Sequence, residues 1–456
     1  MAGIGFELRR LADSETYLGL LRAYAYAGVI GSGPWVLSIL AILILGFMSL
    51  GVVIPPGLIT QFQVSVTWLI ALSLIYTGGL QLLFTRYVAD RLFAQEPRRV
   101  VPNLIGLLFI ALLPAFVLAI AASLWLLPGT SAAYRLLMIL GGLLLCVIWV
   151  LTVLLSGLKQ YTAVLTLYAL GYGSAVASGL WLRPWGLEGL LAGFVLGQIL
   201  LAVGMFALIW REYPPTRFVE FDFFQPGRLH AWLFPAGLFF NLGVWIDKIM
   251  FWLWPGTGST VIGTLHASAI YDTPIFLAYF TIIPGMAVFL LRMEVDFVHA
   301  YDRYYNAVRN GGALSAIRDQ RTQMVIAARE GLFGILKVQG MTLLLLIVFG
   351  GHILRLLGIS PLFEPLLLLD SLGVMLQLLV MAGLNILFYL DRTRAAALVA
   401  LLMFGSNALF TAVSLMLGPY FYGYGFAAAM LLTALVALTV TDRTLDRLNY
   451  ETFMLR

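Results

Sequence analysis

Charge is scarce in this chain of 456 residues: 11% are Asp, Glu, Lys or Arg, against 61% that are hydrophobic. No water-soluble core could hide that much apolar side chain, so a soluble domain is excluded. There is a single cysteine, Cys146, inside an apolar run, which excludes both a disulfide framework and a cysteine metal site. The four histidines, His230, His266, His299 and His352, lie on separate segments, without zinc spacing or the makings of a nucleophilic triad. A Gly-rich phosphate loop of Walker type is also missing, and the polar segments are too short to hold a nucleotide-binding domain. Glu220 with Asp222, and Glu294 with Asp296, come nearest to the acidic pair of a glycosyltransferase, but no catalytic domain accompanies them. Neither an enzyme nor a resident metal or cofactor is expected.

What the chain does have is long apolar runs rich in Leu, Ala and Gly, without the period-two alternation of barrel strands. At about 1.5 Å per residue, a run of some 17 residues or more reaches across a bilayer as a helix. Six such runs are expected near 23–48, 63–84, 101–126, 134–156, 161–182 and 187–210. Six more follow near 231–253, 273–291, 336–352, 365–388, 395–416 and 422–440. The expected fold is an all-α polytopic membrane protein of twelve helices in two pseudo-symmetric six-helix lobes, residues 23–210 and 231–440. A polar linker, 211–230, would join them.

Basic residues are read first against topology and not as a nucleic-acid footprint, although the net charge is +5. With both termini cytoplasmic, almost every Arg and Lys falls on the cytoplasmic side, and the opposite side keeps only Arg135, Arg183 and Arg355. The first residues, with Glu7, Arg9, Arg10, Asp13 and Glu15, lack a signal-peptide core, so the first span is expected to be retained behind an amphipathic leader, 1–22. Residues 441–456 would form a cytoplasmic tail.

A fixed-offset repeat accompanies the two halves: Arg86, Asp90 and Ala94 after the second span reappear as Arg292, Asp296 and Ala300 after the eighth. Arg and Asp four apart share a helix face and can pair. The second copy opens a long cytoplasmic loop, 292–335, in which Val295, Val298, Tyr301, Tyr305 and Val308 recur at helical spacing, with a break at Asn310–Gly312. It suits either a docking surface or a solvated helical hairpin.

Gly- or Pro-broken helices at matching places in repeated halves point to a transport path. The first span carries Gly31, Gly33 and Pro34, and the seventh carries Pro235 and Gly237. Near the end of the seventh stand Asp247 and Lys248, two charges that are costly in a membrane. They are about 100° apart on a helix, so each is expected to look elsewhere for a partner. Asp370, at matching depth in the tenth span, is the candidate for Lys248, with snorkelling to the interface as the alternative. Trp35 and Trp245 lie deep in their spans, for packing or for stacking on sugar faces.

The opening GIGFELRR, the run from Tyr17 to Ile39, WIDKIMFW from Trp245 to Trp252, and the run from Tyr271 to Leu291 carry a family resemblance. They are similar to the membrane subunits of the bacterial Pel exopolysaccharide exporter, within the multidrug, oligosaccharidyl-lipid and polysaccharide exporter superfamily. The resemblance runs essentially end to end. It implies two six-helix lobes about a central cavity and export of an N-acetylgalactosamine-containing polymer across the inner membrane. It also implies three partners, the soluble glycosyltransferase PelF and the membrane proteins PelD and PelE. The rival readings are an ion-coupled flippase of drug or lipid-linked oligosaccharide, and a non-conducting scaffold for the glycosyltransferase.

Overall fold

The computed structural model describes residues 17–158, 160–225 and 230–454. The leader expected over 1–22 therefore lies, as far as residue 16, outside the described residues.

Apolar runs with no water to bond must satisfy their amides internally, and the chain does so as helices. The first half forms α1 (Tyr17–Met48), α2 (Gly57–Phe93), α3 (Val100–Trp125), α4 (Ala132–Gly157), α5 (Tyr161–Leu182) and α6 (Gly186–Glu212). The second half opens with α7 (Leu233–Leu253), followed by a hairpin, β1 (Ser259–Ile262) and β2 (Leu265–Ala267). Then come α8 (Ala269–Phe280), α9 (Ile283–Leu291), a π-helical turn (Arg292–Phe297) and α10 (Val298–Arg309). The chain ends with α11 (Leu314–Leu356), α12 (Glu364–Tyr389), α13 (Thr393–Leu417) and α14 (Tyr424–Met454).

Among the described residues, 11 stretches are long and apolar enough to cross a membrane. One of them, Tyr161–Glu212, contains both α5 and α6, separated at Arg183–Trp185, so the twelve expected spans are all present. The chain is an all-α polytopic membrane protein, with the short hairpin as its small β addition. That hairpin pairs Ser259 with Ala267 and Thr260 with His266. It is tied to its own unit by Trp68, whose indole donates to the His266 carbonyl at 2.8 Å, and by the amide of Thr264 on the Leu126 carbonyl, also at 2.8 Å.

By contact the chain forms two compact units, Pro34–Ala269 and Met1–Gly33 with Ile270–Arg456. These differ from the sequence halves. The seventh helix counts with α2 to α6, and the start of the first helix counts with α8 to α14. Backbone proximity is the reason in each case. A Cβ on Gly237 of α7 would stand 2.1 Å from the Gly78 carbonyl oxygen of α2, and one on Gly28 of α1 would touch Ala287 of α9 at 3.5 Å. Small residues let helices approach this closely where no hydrophobic drive separates helix from lipid.

The loop expected over 292–335 and, as far as Met454, the tail expected over 441–456 are helical continuations of spanning helices, the loop broken at Asn310–Gly312. α10 and the start of α11 form a helical hairpin, turning at Asn310–Gly312 as the sequence suggests. The end of α14 packs on it. Tyr304 is buried and its hydroxyl donates to Asn449 at 3.0 Å, Arg321 donates to the Leu445 carbonyl at 2.8 Å, and Arg329 meets Asp442 at 3.0 Å. Part of this hairpin is thus covered by the chain's own last helix, through Tyr304, Arg321 and Arg329.

Candidate functional site

In the unit Pro34–Ala269, the charged stretch of α7 is fully enclosed. Asp247 is 0% and Lys248 2% exposed, so Lys248 does not snorkel. Its ammonium lies 3.0 Å from one carboxylate oxygen of Asp247 and 3.2 Å from the other, and donates to the Val244 carbonyl at 2.9 Å. The expectation that these sequence neighbours turn away from each other is corrected. The four-carbon lysine stem bends back along the helix and closes a separation that the Cα positions alone would leave open. Asp370, the partner expected for Lys248, belongs to the other unit, where it is also 0% exposed.

Tryptophans pack around this segment. Trp252 lies with its ring centroid 4.8 Å from that of Trp68 and 6.2 Å from that of Trp245. Trp245 is buried, so its ring serves packing in this structure. Trp35 is half-buried in the same unit.

Pro235 and Gly237 do not break α7, which runs uninterrupted from Leu233 to Leu253. Pro235 sits in the first turn, where an amide would lack an intrahelical partner in any case. Gly237 instead serves the close approach to Gly78. Helix α1 is likewise continuous through Gly31, Gly33 and Pro34, and Gly33–Pro34 is where it passes from one unit to the other.

The spanning segment that does break is the eighth. α8 ends at Phe280, Thr281 and Ile282 form tight turns back to Ala278 and Tyr279, and α9 restarts with Pro284 as its second residue. Pro284 has no amide to give to the Phe280 carbonyl, four residues back, so the α ladder cannot continue there. Just before the break, Tyr279 donates to the buried Gln377 of α12 at 3.0 Å. The signal was Pro284, in the middle of the eighth apolar run.

The repeated pairs have their expected geometry. Arg86 lies 3.2 Å from Asp90, and Arg292 lies 2.9 Å from Asp296. Asp90 also takes His230 at 3.0 Å, fastening the chain just ahead of α7.

A polar clamp was not legible in the sequence. The linker after α6 folds back onto the start of α3, where Arg99 pairs with Asp222 at 2.6 Å and the Asp222 amide donates to the Asn103 side chain at 2.7 Å. The Glu220 amide adds a bond to the Pro102 carbonyl at 3.1 Å. A Cβ on Gly106 would stand 2.2 Å from the Glu220 carbonyl oxygen, so the fit requires glycine. Arg98, Arg99, Thr216, Arg217 and Asp222 line the cleft of about 570 Å³ that results. Asn103 inside an apolar run, with Gly106 three residues on, was the available signal.

Comparison with known proteins adds the family. The chain matches the PelG family, described as an exopolysaccharide exporter (EPS-E), over residues 1–453. No curated protein matches it. Among solved structures it is similar to a multidrug resistance MATE family transporter of the MOP superfamily in an outward-facing conformation, with a TM-score of 0.65 at 11% identity, covering 94% of this chain and 96% of that one. It is also similar to a MOP superfamily transporter from Pyrococcus furiosus, with a TM-score of 0.65 at 12% identity, covering 93% and 96%. A MATE structure in a bent conformation aligns over 98% of both chains, with a TM-score of 0.63 at 12% identity. At such identity these likenesses establish the fold alone, that of a MATE-like transporter.

Proposed function

Because the chain belongs to the PelG family of exopolysaccharide exporters, we propose that it carries a Pel-type, N-acetylgalactosamine-containing polymer across the bacterial inner membrane. In this reading both termini are cytoplasmic. A soluble glycosyltransferase of the PelF kind feeds the polymer from that side, with PelD and PelE as membrane partners, and the chain itself performs no catalysis. The observation that carries the reading is a family match over essentially the whole chain, joined to a transporter fold.

The eighth span supports it physically. Opened backbone inside a membrane is tolerated only beside protein or a water-filled space, and broken helices commonly form the substrate sites of transporters. The Phe280–Pro284 break is such a place. The enclosed Asp247–Lys248 pair and the buried Asp370 favour a second reading, an ion-coupled flippase, because charge kept inside a membrane usually serves an ion or substrate pathway.

The test uses inverted membrane vesicles that hold this chain, its glycosyltransferase and its membrane partners, supplied with labelled sugar nucleotide. Polymer protected in the lumen only when this chain is present is the expected result. Polymer made normally but left outside, with or without this chain, would overturn export in favour of a scaffold. Dissipating the proton and sodium gradients separates the ion-coupled reading, which requires transport to stop.

A further inference from the structure

The acidic residue Glu294, which no catalytic domain explains, stands in a constructed setting within the unit that contains α8 to α14. It lies in the π-helical turn Arg292–Phe297, and such turns are frequent at functional sites because the extra residue re-aims the side chains around it. One carboxylate oxygen of Glu294 accepts from the Asn385 amide at 2.8 Å, and the other accepts from the Tyr389 hydroxyl at 2.8 Å. Each oxygen keeps a second lone pair. The Asn385 side-chain oxygen is buried and accepts no hydrogen bond among the described residues. A buried acceptor in that condition keeps its desolvation cost unless a donor comes to it.

Tyr389 also joins these acceptors to a cluster of aromatic rings. The centroid of Tyr301 lies 5.6 Å from that of Tyr389 and 4.6 Å from that of Tyr305, and Phe297 lies 5.9 Å from Tyr389. Tyrosines at span ends usually anchor a helix in the membrane interface, each ring turned to the headgroups. These rings pack instead on one another, with Tyr389 bonded to the carboxylate, and Tyr301, Tyr305 and Tyr389 are all partly exposed.

We propose that Glu294, Asn385, Tyr301 and Tyr389 form a pyranose-binding subsite. The apolar C–H face of a sugar ring stacks on the tyrosines while its hydroxyls donate to the Glu294 carboxylate and the Asn385 oxygen. The subsite takes neutral or N-acetylated pyranoses and disfavours uronates, because a sugar carboxylate would meet the Glu294 carboxylate, while Asp296 is already paired with Arg292. The assignment rests on the export reading, of which it is one contact along the path.

The test is direct binding of defined tetrasaccharides to the full chain in nanodiscs, followed by saturation-transfer NMR. An N-acetylhexosamine tetrasaccharide should bind the wild type, and Tyr301→Ala should weaken it roughly tenfold, as the loss of about 1.4 kcal/mol of stacking implies. Tyr301→Phe keeps the ring and should bind like the wild type, which separates stacking from a folding defect. Glu294→Gln should weaken binding about threefold or more and reduce the discrimination against a uronate tetrasaccharide. Equal binding by wild type, Tyr301→Ala and Glu294→Gln would overturn the subsite. If that happens while vesicles still export polymer, only the subsite falls. If vesicles fail to export but the variants lose binding as stated, the subsite stands and the export reading falls.

Discussion

Lys248→Met removes the ammonium and leaves the Asp247 carboxylate enclosed at 0% exposure, and the cost follows from that burial. Contacts of 3.0 and 3.2 Å between the two groups mean that no water screens them. Removing one member of a buried ion pair costs about 3–5 kcal/mol, because the remaining charge keeps its desolvation penalty and loses the ammonium that stood against it. Removing both, as in Asp247→Leu with Lys248→Met, takes the penalty away with the pair and should cost much less than the sum of the single changes. The measurement is a double-mutant cycle on reversible denaturant unfolding in mixed micelles, followed by circular dichroism. A favourable coupling of about 2 kcal/mol is expected, within the usual range for directly contacting charges. If the single variants each cost under about 0.5 kcal/mol and add without coupling, the pair is hydrated in the native protein and the reasoning from burial fails.

Two further predictions concern backbone. Gly106→Ala should push the linker off the start of α3, since the new methyl would stand 2.2 Å from the Glu220 carbonyl oxygen; limited proteolysis should then cut between Tyr213 and Gln225 faster than in the wild type, and an unchanged pattern would argue against the clamp. Pro284→Ala restores a donor for the Phe280 carbonyl, so hydrogen exchange across residues 280–284 should slow if the α ladder closes there, by roughly tenfold for each 1.4 kcal/mol gained. No change in exchange would mean that packing, and not the missing amide, holds the eighth span open.

The kind of protein and the number of its spans were set by local composition. Scarce charge and long apolar runs without period-two alternation leave helices to satisfy the amides in lipid, so twelve runs became twelve spans, several of them extended well beyond the apolar run, as in Leu314–Leu356 and Tyr424–Met454. The i,i+4 pairs Arg86–Asp90 and Arg292–Asp296 were legible for the same reason, since one turn of helix settles them. Tertiary contact decided the rest. Gly237 lies against Gly78 and Gly28 against Ala287, so the seventh helix counts with the first-half helices and the start of the first helix with the second-half ones, which no local pattern could announce. Lys248 found its partner in Asp247 because enclosure left its flexible stem no water to reach, and helix geometry by itself had pointed the two apart. The donors to Glu294, Asn385 and Tyr389, come from α12, about ninety residues away along the chain, and only folding could bring them to the π-helical turn.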